Sequence, residues 1–491
     1  MIPYSHLLQL AMPEVIVTIT AIFALTADLV FLRTAALRTR LATSVSLATI
    51  GCIAAIFAIA RASESVNLFD GMFLANPLVH LVQIALLVLT IFVLLLAVES
   101  EFTEHIGEFV LLILLATVGM MFLVASQNLL TSFISLELLS LPLYILTGFD
   151  KRNARSSEAA LKYFLFGGMS AAFLLFGFSL LYGFANSTDF VQIAAAIHGP
   201  SLNPLLILAI VMTVIGLGFK VAAVPFHFWA PDVYEAAPIP VAAFIASGSK
   251  VASFFVFFQI FSMAFAGSAG SAAWMHFVHG WVPVVAIVAA LSMLLGNTVA
   301  IVQTSLRRLL AYSAIAHTGY MLLGVVAHTP IGLAALLYYV ITYSFGTIGA
   351  FGVIGIVEKP TGSDQLATFN GLNKRSPVLA ACLFVFLLSL AGIPPLAGFF
   401  GKFYLFVAAV SASSGLLWLV AFAIAISAVS LYYYLRVLKR VYGESPDSTP
   451  LPASRFSVAV VVTLATLVVL FGCAPNLLLE PLIAAVRVVG M

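Results

Sequence analysis

Charge is scarce in this sequence. Of its 491 residues, 8% are charged and 63% are hydrophobic, whereas ordinary soluble proteins carry about 25% charged residues. Because so little polar surface cannot cover a soluble globule, the composition indicates that lipid is the solvent for most of the chain. The length accommodates roughly fourteen membrane spans with short connections. A soluble fold is therefore excluded, and we predict an all-α polytopic membrane protein.

Cysteine is scarce as well. Cys52, Cys382 and Cys473 each stand alone in an apolar run, so the spacing of an iron–sulfur or zinc site is absent. The stretch from Gly398 to Lys402 lacks the spacing of a phosphate-binding loop, and no histidine pair at matching depth suggests haem ligation. We therefore predict no cofactor and no metal in this chain. The net charge is only +2, and we expect no nucleic acid partner.

Apolar runs are abundant and are bounded by charged residues, Gly, Pro or Asn. They define fourteen candidate spans, and an even number of spans places both termini on one side. The N-terminus has no charged region followed by a cleavage site, so no removable signal is predicted. The candidate spans are 10–32, 41–60, 77–98, 108–125, 128–149, 158–183, 204–229, 239–264, 275–297, 308–327, 331–357, 376–411, 415–435 and 456–479.

The basic residues are distributed unequally between the two sides of the membrane. If the loop after the first span is cytoplasmic, only Arg61 and Arg487 lie on the opposite side, and four lysines lie within spans. This asymmetry is what the positive-inside rule requires. We therefore expect a bacterial inner-membrane protein with both termini on the periplasmic side. The fifteen basic residues of the cytoplasmic loops are Arg33, Arg38, Arg40, Lys151, Arg152, Arg155, Arg307, Arg308, Lys359, Lys374, Arg375, Arg436, Lys439, Arg440 and Arg455.

The seventh and twelfth spans are predicted to be discontinuous. The twelfth covers 36 residues (376–411), and a straight helix of that length would be about 54 Å long against a hydrocarbon core of about 30 Å. Its middle contains two prolines and three glycines, and in the seventh span Pro225 follows Lys220 by five residues. Lys220 and Lys402 thus stand beside breaks whose freed backbone groups need a protein-lined or hydrated interior.

Spans 4–8 and 9–13 form two blocks of five helices, and the broken helix is the fourth in each. Because five is odd, the second block begins on the opposite side of the membrane. This is the pattern of an inverted-topology repeat, whose discontinuous helices mark an ion or substrate path; alternatively, Pro and Gly simply occur often in membrane helices. We predict an N-terminal three-helix segment (1–107), two five-helix repeats (108–264 and 265–440) and a C-terminal helix (441–491).

Four ionisable side chains are candidates for the path. A charge at mid-membrane costs at least about 2.5 to 3.5 kcal/mol on insertion scales, so it persists where it faces an interior path or a partner. Glu137 lies near the centre of span five and is the single acidic residue at mid-depth in the ten repeat helices. Lys250 is too central in span eight to reach either surface. Lys220 and Lys402 could alternatively be held structurally by the carbonyls at the helix breaks.

Lys162 has two interpretations. It lies a few residues inside span six, one turn after Glu158, so it is either part of the path or half of a surface i,i+4 ion pair. Asp28, outside the repeats and close to Arg33, is predicted to be mainly structural.

Two histidines could relay protons, because imidazole titrates nearest to neutral pH. His227 follows Lys220 by seven residues, nominally on the same helix face, and His317 is expected to occupy in span ten the place of Glu137 in span five. Each could equally be a hydrogen bond between helices.

One glutamate, several lysines and two histidines suit proton transfer better than metal-cation binding, since a sodium site would need several converging oxygens. Burial lowers the proton affinity of a lysine and a nearby carboxylate raises it. A pair such as Glu137 and Lys220 can therefore change the position of a proton when its separation changes.

Two motifs identify a family. Residues 220–241 read KVAAVPFHFWAPDVYEAAPIPV, followed by Ser249 and Lys250, and residues 390–403 read LAGIPPLAGFFGKF. Together they closely resemble the antiporter-like membrane subunits of respiratory complex I, over essentially the whole chain. The PFHFWAPDVYE stretch, a lysine at the break of span twelve and a C-terminus without a long lateral helix favour one branch over its paralogues. Each motif alone is also similar to multisubunit cation/proton antiporters.

The resemblance implies a proton-translocating subunit of an NADH:quinone oxidoreductase. FMN, iron–sulfur clusters and quinone would be bound by partner subunits, namely a hydrophilic redox arm and further membrane subunits that include antiporter-like paralogues. Carried over by motif, Glu137 and Lys220 are implied to be a coupled pair and Lys250 the central relay. Lys402 is implied to release the proton, and Lys162 to modulate Lys220. His317 is a weaker assignment.

Two other functions stay open at this point. The chain could be a subunit of a multisubunit sodium/proton antiporter, without electron transfer, or a solute symporter that works alone. No substrate-pocket residue set is evident for the symporter.

Overall fold

The computed structural model describes residues 8–62, 65–100, 102–197, 203–443 and 449–489. Helices dominate these ranges, as predicted. The strands in them are two short antiparallel hairpins, in which β1 (Val66–Leu68) pairs with β2 (Phe73–Ala75) and β3 (Ser271–Ala273) pairs with β4 (His276–Val278).

The helices follow one another with short connections. In chain order they are α1 (Met12–Val30), α2 (Leu37–Arg61), α3 (Pro77–Ala97), α4 (Ile106–Val124), α5 (Leu129–Thr147), α6 (Ala154–Ala185), α7 (Phe190–Ala196), α8 (Pro204–Lys220), α9 (Trp229–Ala236), α10 (Ile239–Ala246), α11 (Gly248–Gln259), α12 (Trp281–Val302), α13 (Leu306–Ala327), α14 (Pro330–Thr361), α15 (Leu372–Arg375), α16 (Pro377–Ala391), α17 (Ala397–Ala412), α18 (Leu417–Val441), α19 (Arg455–Cys473) and α20 (Asn476–Val489).

Fourteen spans account for the apolar helices. Twelve helices in the described ranges are long and apolar enough to cross a membrane. The three shorter apolar helices are α8, which is the seventh span, and α16 and α17, which are the two halves of the twelfth. The all-α polytopic fold and the two discontinuous spans are thereby confirmed.

Two predicted boundaries are wrong. The ninth span begins at Trp281 and not at 275, because the apolar residues before it belong to the β3–β4 hairpin. After the fourteenth span, which ends at Cys473, a further helix runs from Asn476 to Val489. Pro475 separates the two helices, since proline disfavours helical backbone at the residue before it.

The two repeats share the same junctions. Asn128 caps α5 and forms an antiparallel bridge with Asp189, and Ser305 caps α13 and bridges Gln365 in the same way. The helices that follow, α6 and α14, each contain 32 residues. Five spans separate the two junctions, so they lie at opposite ends of the membrane-crossing helices. This register relates the two blocks in inverted topology; the residue limits of the four proposed domains stay a prediction.

Two glycines bring helices together at equivalent places in the repeats. A Cβ on Gly119 of α4 would lie 2.5 Å from the backbone nitrogen of Leu139 in α5. A Cβ on Gly296 of α12 would lie 2.4 Å from the backbone nitrogen of Ala316 in α13. Backbone atoms of a packed helix cannot move without shifting the helix. Each helix pair can therefore approach this closely only because glycine has no side chain.

We expect Gly119→Ala to destabilise the protein. The added methyl group must push α4 away from α5, and overpacking of this kind costs about 1–3 kcal/mol. The measurement is the apparent melting temperature of the purified, detergent-solubilised protein. Gly168→Ala is the matched control, because no atom lies within 4 Å of its added Cβ; equal melting temperatures of the two variants would refute this packing argument.

A buried ion pair ties the N-terminal helices to the first repeat. Asp28 in α1 is fully buried and accepts two hydrogen bonds from Arg40, from Nε at 2.8 Å and from Nη2 at 2.6 Å. The backbone N–H of Gly107 donates to the same carboxylate at 3.0 Å. The partner is thus Arg40 and not the nearer Arg33, because Arg40 lies in α2, which packs beside α1.

Candidate functional site

The seventh span breaks at the first lysine of the site. Helix α8 ends at Lys220, and regular helix resumes at Trp229 after the segment that contains Pro225. The Lys220 Nζ donates to the hydroxyl of Ser140 in α5 and lies 5.4 Å from the centre of the Tyr144 ring. Ser140 in turn donates to the carbonyl of Leu136. The ammonium is therefore held between the break and α5.

Glu137 lies one turn before Ser140 on α5. Its side chain is half-buried and lies within electrostatic range of the Lys220 ammonium. Within the described ranges, no hydrogen bond or ion pair fixes the Glu137 carboxylate. The structure thus brings Glu137 and Lys220 to one place, since Lys220 contacts Ser140 one turn after Glu137, and it shows no hydrogen bond or ion pair between the two in the described ranges.

Lys250 is the most enclosed charge. It lies in α11 just after a break at Ser247, and 1% of its surface is exposed. Its Nζ donates to the carbonyl of Ala314 at 2.7 Å and to the hydroxyl of Thr318 at 3.0 Å, both in α13. Its Nζ also lies 5.5 Å from the centre of the Tyr343 ring in α14, so the lysine side chain is held in the interior and does not extend toward either membrane surface.

Thr318 joins Lys250 to the first break. Its hydroxyl accepts from Lys250 and donates to the carbonyl of Val221 at 2.6 Å. Val221 is the residue after Lys220, so one hydroxyl connects the second lysine to the backbone beside the first. This bridge also links the two repeats, because α8 and α11 belong to the first repeat and α13 to the second.

His317 lies between Lys250 and Lys402, next to Thr318. Its Nδ1 is 2.6 Å from the hydroxyl of Tyr339 and its Nε2 is 3.3 Å from the hydroxyl of Tyr434. Both ring nitrogens therefore have polar partners in the protein interior. The tautomer follows from which tyrosine donates.

The expected equivalence of His317 and Glu137 is wrong. Measured from the equivalent caps Asn128 and Ser305, Glu137 corresponds to Ala314, and His317 corresponds to Ser140. His317 is therefore about one helical turn away from the position equivalent to Glu137. In the second repeat it occupies the position that Ser140, the residue that binds Lys220, occupies in the first.

Lys402 lies at the second break and is the last of three lysines, Lys220, Lys250 and Lys402, which we call the lysine row. It is 4% exposed and lies in α17, and its Nζ donates to the carbonyls of Leu390 at 3.2 Å and Ala391 at 3.0 Å, where α16 ends. It also donates to the hydroxyl of Ser427 at 3.0 Å and lies 4.8 Å from the centre of the Tyr320 ring. A cavity of about 380 Å³ reaches Lys402 from the surface of the chain. This row therefore ends beside an opening.

Lys162 belongs to a surface network. Its Nζ forms ion pairs of 2.8 Å with Glu158 and 2.8 Å with Asp232, and 41% of the side chain is exposed. Asp232 pairs with Arg308 at 2.9 Å, and Arg308 with Glu235 at 2.8 Å. The i,i+4 pair is thus present, extended by a link from the first repeat to α13 of the second. No hydrogen bond between described residues connects Lys162 with Lys220.

His227 lies in the non-helical segment of the break. Because α8 ends at Lys220, the seven-residue spacing does not place the two residues on one helix face, and that expectation is wrong. The His227 ring is 4% exposed and stacks on Phe228 with centroids 4.6 Å apart. Its Nδ1 has no hydrogen-bond partner in the part of the chain that the structure describes.

The structure adds residues that the sequence did not reveal. Ser140, Thr318, Tyr339 and Tyr434 contact the ionisable groups, yet each looks ordinary in its own apolar span. A weak signal exists, since each is a polar residue in a mid-span stretch. Within the described ranges no group of three or more His, Cys, Asp or Glu could hold a metal ion.

Comparison with known proteins gives consistent matches. The family described as NADH:quinone oxidoreductase/Mrp antiporter, TM, matches residues 126–427. The chain is 52% identical to NADH-quinone oxidoreductase subunit N 2 of Acidobacterium capsulatum, covering 98% of this chain and 99% of the relative. It is 40% identical to subunit N of Desulforamulus reducens, covering 84% of this chain and 85% of that one.

Solved structures share the fold. A chain of respiratory complex I from Thermus thermophilus is 31% identical with a TM-score of 0.80, covering 96% of this chain and 100% of that chain. A chain of the Mrp complex from Dietzia sp. is similar in fold, with a TM-score of 0.81 at 22% identity over 98% of this chain and 97% of that chain. The chain therefore belongs to the antiporter-like membrane subunits of the NADH:quinone oxidoreductase and Mrp antiporter family, in the branch of subunit N of bacterial NADH-quinone oxidoreductase.

Proposed function

We propose that this chain is a proton-translocating membrane subunit of an NADH:quinone oxidoreductase. It would contribute no redox centre of its own, and FMN, iron–sulfur clusters and quinone would be bound by partner subunits. Supporting this are the subunit N names of its relatives and the arrangement of buried amines. Its place would be the bacterial inner membrane, within an assembly of further membrane subunits and a hydrophilic redox arm.

The observation that carries the proposal is the bridge through Thr318. Lys250 donates to Thr318, Thr318 donates to the carbonyl of Val221, and Val221 adjoins Lys220. A buried lysine needs a partner or an interior path to persist. The polar side chains of α13 extend this contact toward Lys402, so the three amines lie along one interior strip and not at separate surface positions.

Each residue has a proposed part in moving the proton. Glu137 would hold Lys220 in its ammonium form while the two are close, and would favour proton release when they separate. Lys250 would accept the proton through water between the amines and pass it on. His317 would relay it between the hydroxyls of Tyr339 and Tyr434, and Lys402 would release it at the second break.

Lys162 and His227 would act on the first lysine. The ion pairs of Lys162 with Glu158 and Asp232 neutralise its charge, and loss of either pair would leave more positive charge near the first break. That gives Lys162 a modulating part behind Lys220. His227 would exchange protons at the same break, where its buried Nδ1 has no protein partner among the described residues.

Sidedness of the membrane forms part of the proposal. Both termini would lie on the periplasmic side, because fifteen basic residues then face the cytoplasm and two face the outside. The positive-inside rule supports this orientation over the reverse.

The experiment that tests the function identifies the partners of the chain. The tagged protein is purified from its native membrane under mild conditions, and the co-purifying subunits are identified by mass spectrometry. Flavin and iron–sulfur proteins are the expected result. Co-purification of small membrane proteins alone would contradict the proposal and favour the sodium/proton antiporter.

We expect Thr318→Val to slow NADH-driven proton translocation about fivefold. Valine keeps the shape but removes the hydroxyl that positions Lys250, and a lost hydrogen bond of about 1 kcal/mol corresponds to about that change in rate. The measurement is the initial rate of acidification inside inverted membrane vesicles. Thr318→Ser keeps the hydroxyl and is expected to restore the rate; equal rates for Val and Ser would show that the bridge is unimportant.

A further inference from the structure

A second polar cavity lies away from the row of lysines. It sits among the first three helices, where α1 begins, α2 ends and α3 begins, and its volume is about 200 Å³. Five polar side chains contribute to its lining, namely Gln9, Glu14, Arg61, His80 and Gln83. We call it the outer cavity, because the distribution of basic residues assigns this end of the helices to the periplasmic face.

Glu14 is the acidic side chain of the outer cavity. It is 2% exposed, and its Oε1 accepts a hydrogen bond of 2.6 Å from Nε2 of Gln83. The same amide nitrogen also donates to the carbonyl of Met121 at 3.3 Å. The second carboxylate oxygen, Oε2, is buried and has no partner among the described residues. A buried acceptor without a donor is costly, so a donor is expected to complete it.

Arg61 is the cationic side. It ends α2 and, in the part of the chain that the structure describes, forms no ion pair with Glu14 or with any other carboxylate. His80, one turn before Gln83 on α3, lines the same cavity. One cavity thus presents a carboxylate and a guanidinium that do not neutralise each other. Charge complementarity therefore favours an occupant that carries a cation and an anion together.

An apolar stripe leads away from Arg61. Ile50, Ile53 and Phe57 precede it on α2 at helical spacing, and their exposed fractions are 63%, 42% and 64%. Because residues three and four apart lie on one helix face, the stripe runs from the cavity into the depth of the hydrocarbon core. An occupant with a polar head at Arg61 would have an apolar surface for a hydrocarbon chain.

We propose that the outer cavity binds the headgroup of a phospholipid that carries a primary amine. The ammonium would donate to the Glu14 carboxylate, the phosphate would accept from Arg61 and His80, and an acyl chain would lie along Ile50, Ile53 and Phe57. The volume of about 200 Å³ is many times the roughly 10–15 Å³ that one water molecule requires, so more than a single water can enter. This site does not depend on the proposed proton path.

Other occupants fit the chemistry less well. A hard metal cation needs several oxygen ligands, whereas the outer cavity offers one carboxylate and a nearby guanidinium. An anionic headgroup such as phosphatidylglycerol offers Glu14 neutral hydroxyl donors only, and hydrogen bonds from a neutral donor are weaker than those from an ammonium. A quaternary amine has no N–H to donate, so it would leave Oε2 unpaired.

The experiment uses photoreactive lipids on the intact complex in nanodiscs. Analogues of phosphatidylethanolamine, phosphatidylcholine and phosphatidylglycerol with the same photoreactive acyl chain are compared, and labelled peptides are mapped by mass spectrometry. The phosphatidylethanolamine analogue is expected to label the segment around Phe57, and the other two to label it at least about fivefold less. Equal labelling by all three lipids would overturn the proposal.

Two variants test the contacts. Glu14→Gln and Arg61→Gln are each expected to reduce phosphatidylethanolamine labelling about fivefold. Glu104→Gln is the matched control, because Glu104 is 73% exposed on a loop at the opposite end of the helices, and its labelling should equal that of the unaltered protein. Unchanged labelling in Arg61→Gln, an exposed position that folding tolerates, would overturn the proposal even if Glu14→Gln failed to assemble.

Discussion

Lys250→Ala is expected to reduce NADH-driven proton translocation at least about tenfold. Lys250 donates to both Ala314 and Thr318 of α13, between the break at Lys220 and His317. Without it the proton would have to cross this stretch of the interior with no side chain to hold it, and each 1.36 kcal/mol added to the barrier slows transfer tenfold. The measurement is the quenching of a pH-sensitive dye in inverted membrane vesicles after NADH is added.

A charge-preserving variant separates proton transfer from packing. Lys250→Arg keeps a positive charge, but a guanidinium does not release its proton in proteins. We therefore expect Lys250→Arg to be as defective as Lys250→Ala in translocation. In both variants, electron transfer from NADH to a soluble artificial acceptor should be unchanged, because the proposed function places that reaction in partner subunits. Normal translocation in either variant would contradict the assignment of Lys250 as a relay.

Glu137→Gln is expected to have the second large effect, also a decrease of about tenfold or more. The amide has the size of the carboxylate but no charge, so it cannot favour the ammonium form of Lys220. Loading of the first amine would then lose the electrostatic partner on which the coupled pair depends. The same vesicle assay measures it, with the rate at several pH values and saturating NADH, because loading of the first amine depends on the proton concentration.

Conservative and distant variants complete the Glu137 test. Glu137→Asp keeps the charge one methylene further from Lys220, so we expect it to retain a substantial part of the activity. Glu480→Gln makes the same chemical change at an exposed position on α20, and we expect full activity. If Glu137→Gln pumped as well as Glu480→Gln, Glu137 would have no part in the path.

Much of the architecture follows from properties that a sequence carries directly. Span length is set by bilayer thickness, and the prolines and glycines of 376–411 cannot be accommodated in one straight helix. Buried lysines are conspicuous because lipid makes them costly. For these reasons the two broken spans and the lysine row could be predicted before any contact was known.

The partners of the buried groups could not be predicted in this way. Thr318 contacts Val221 across 97 positions of sequence, and His317 contacts Tyr434 across 117. Such contacts depend on which helices pack together and on their rotation. The same limit applies to Asp28, which is structural as predicted but whose partner Arg40 is set by the packing of α1 on α2. It also explains the error at His317, whose register is set by the cap at Ser305.

Local backbone geometry accounts for the other errors. The prediction that Lys220 and His227 share a helix face requires a helix that continues through Pro225. In the structure, α8 ends at Lys220. The extra helix α20 was missed because a mixed polar and apolar stretch after Pro475 does not register as a membrane span. Hydropathy detects crossing helices well and short surface helices poorly.

The most direct test of the lysine row is a density map of the intact complex at a resolution that shows ordered water. We predict water molecules that connect the amines of Lys220, Lys250 and Lys402, with hydrogen bonds to Thr318, Tyr339 and Tyr434 along the way. A dry, tightly packed interior between any two of these amines, seen in the turning-over complex as well as at rest, would contradict the account.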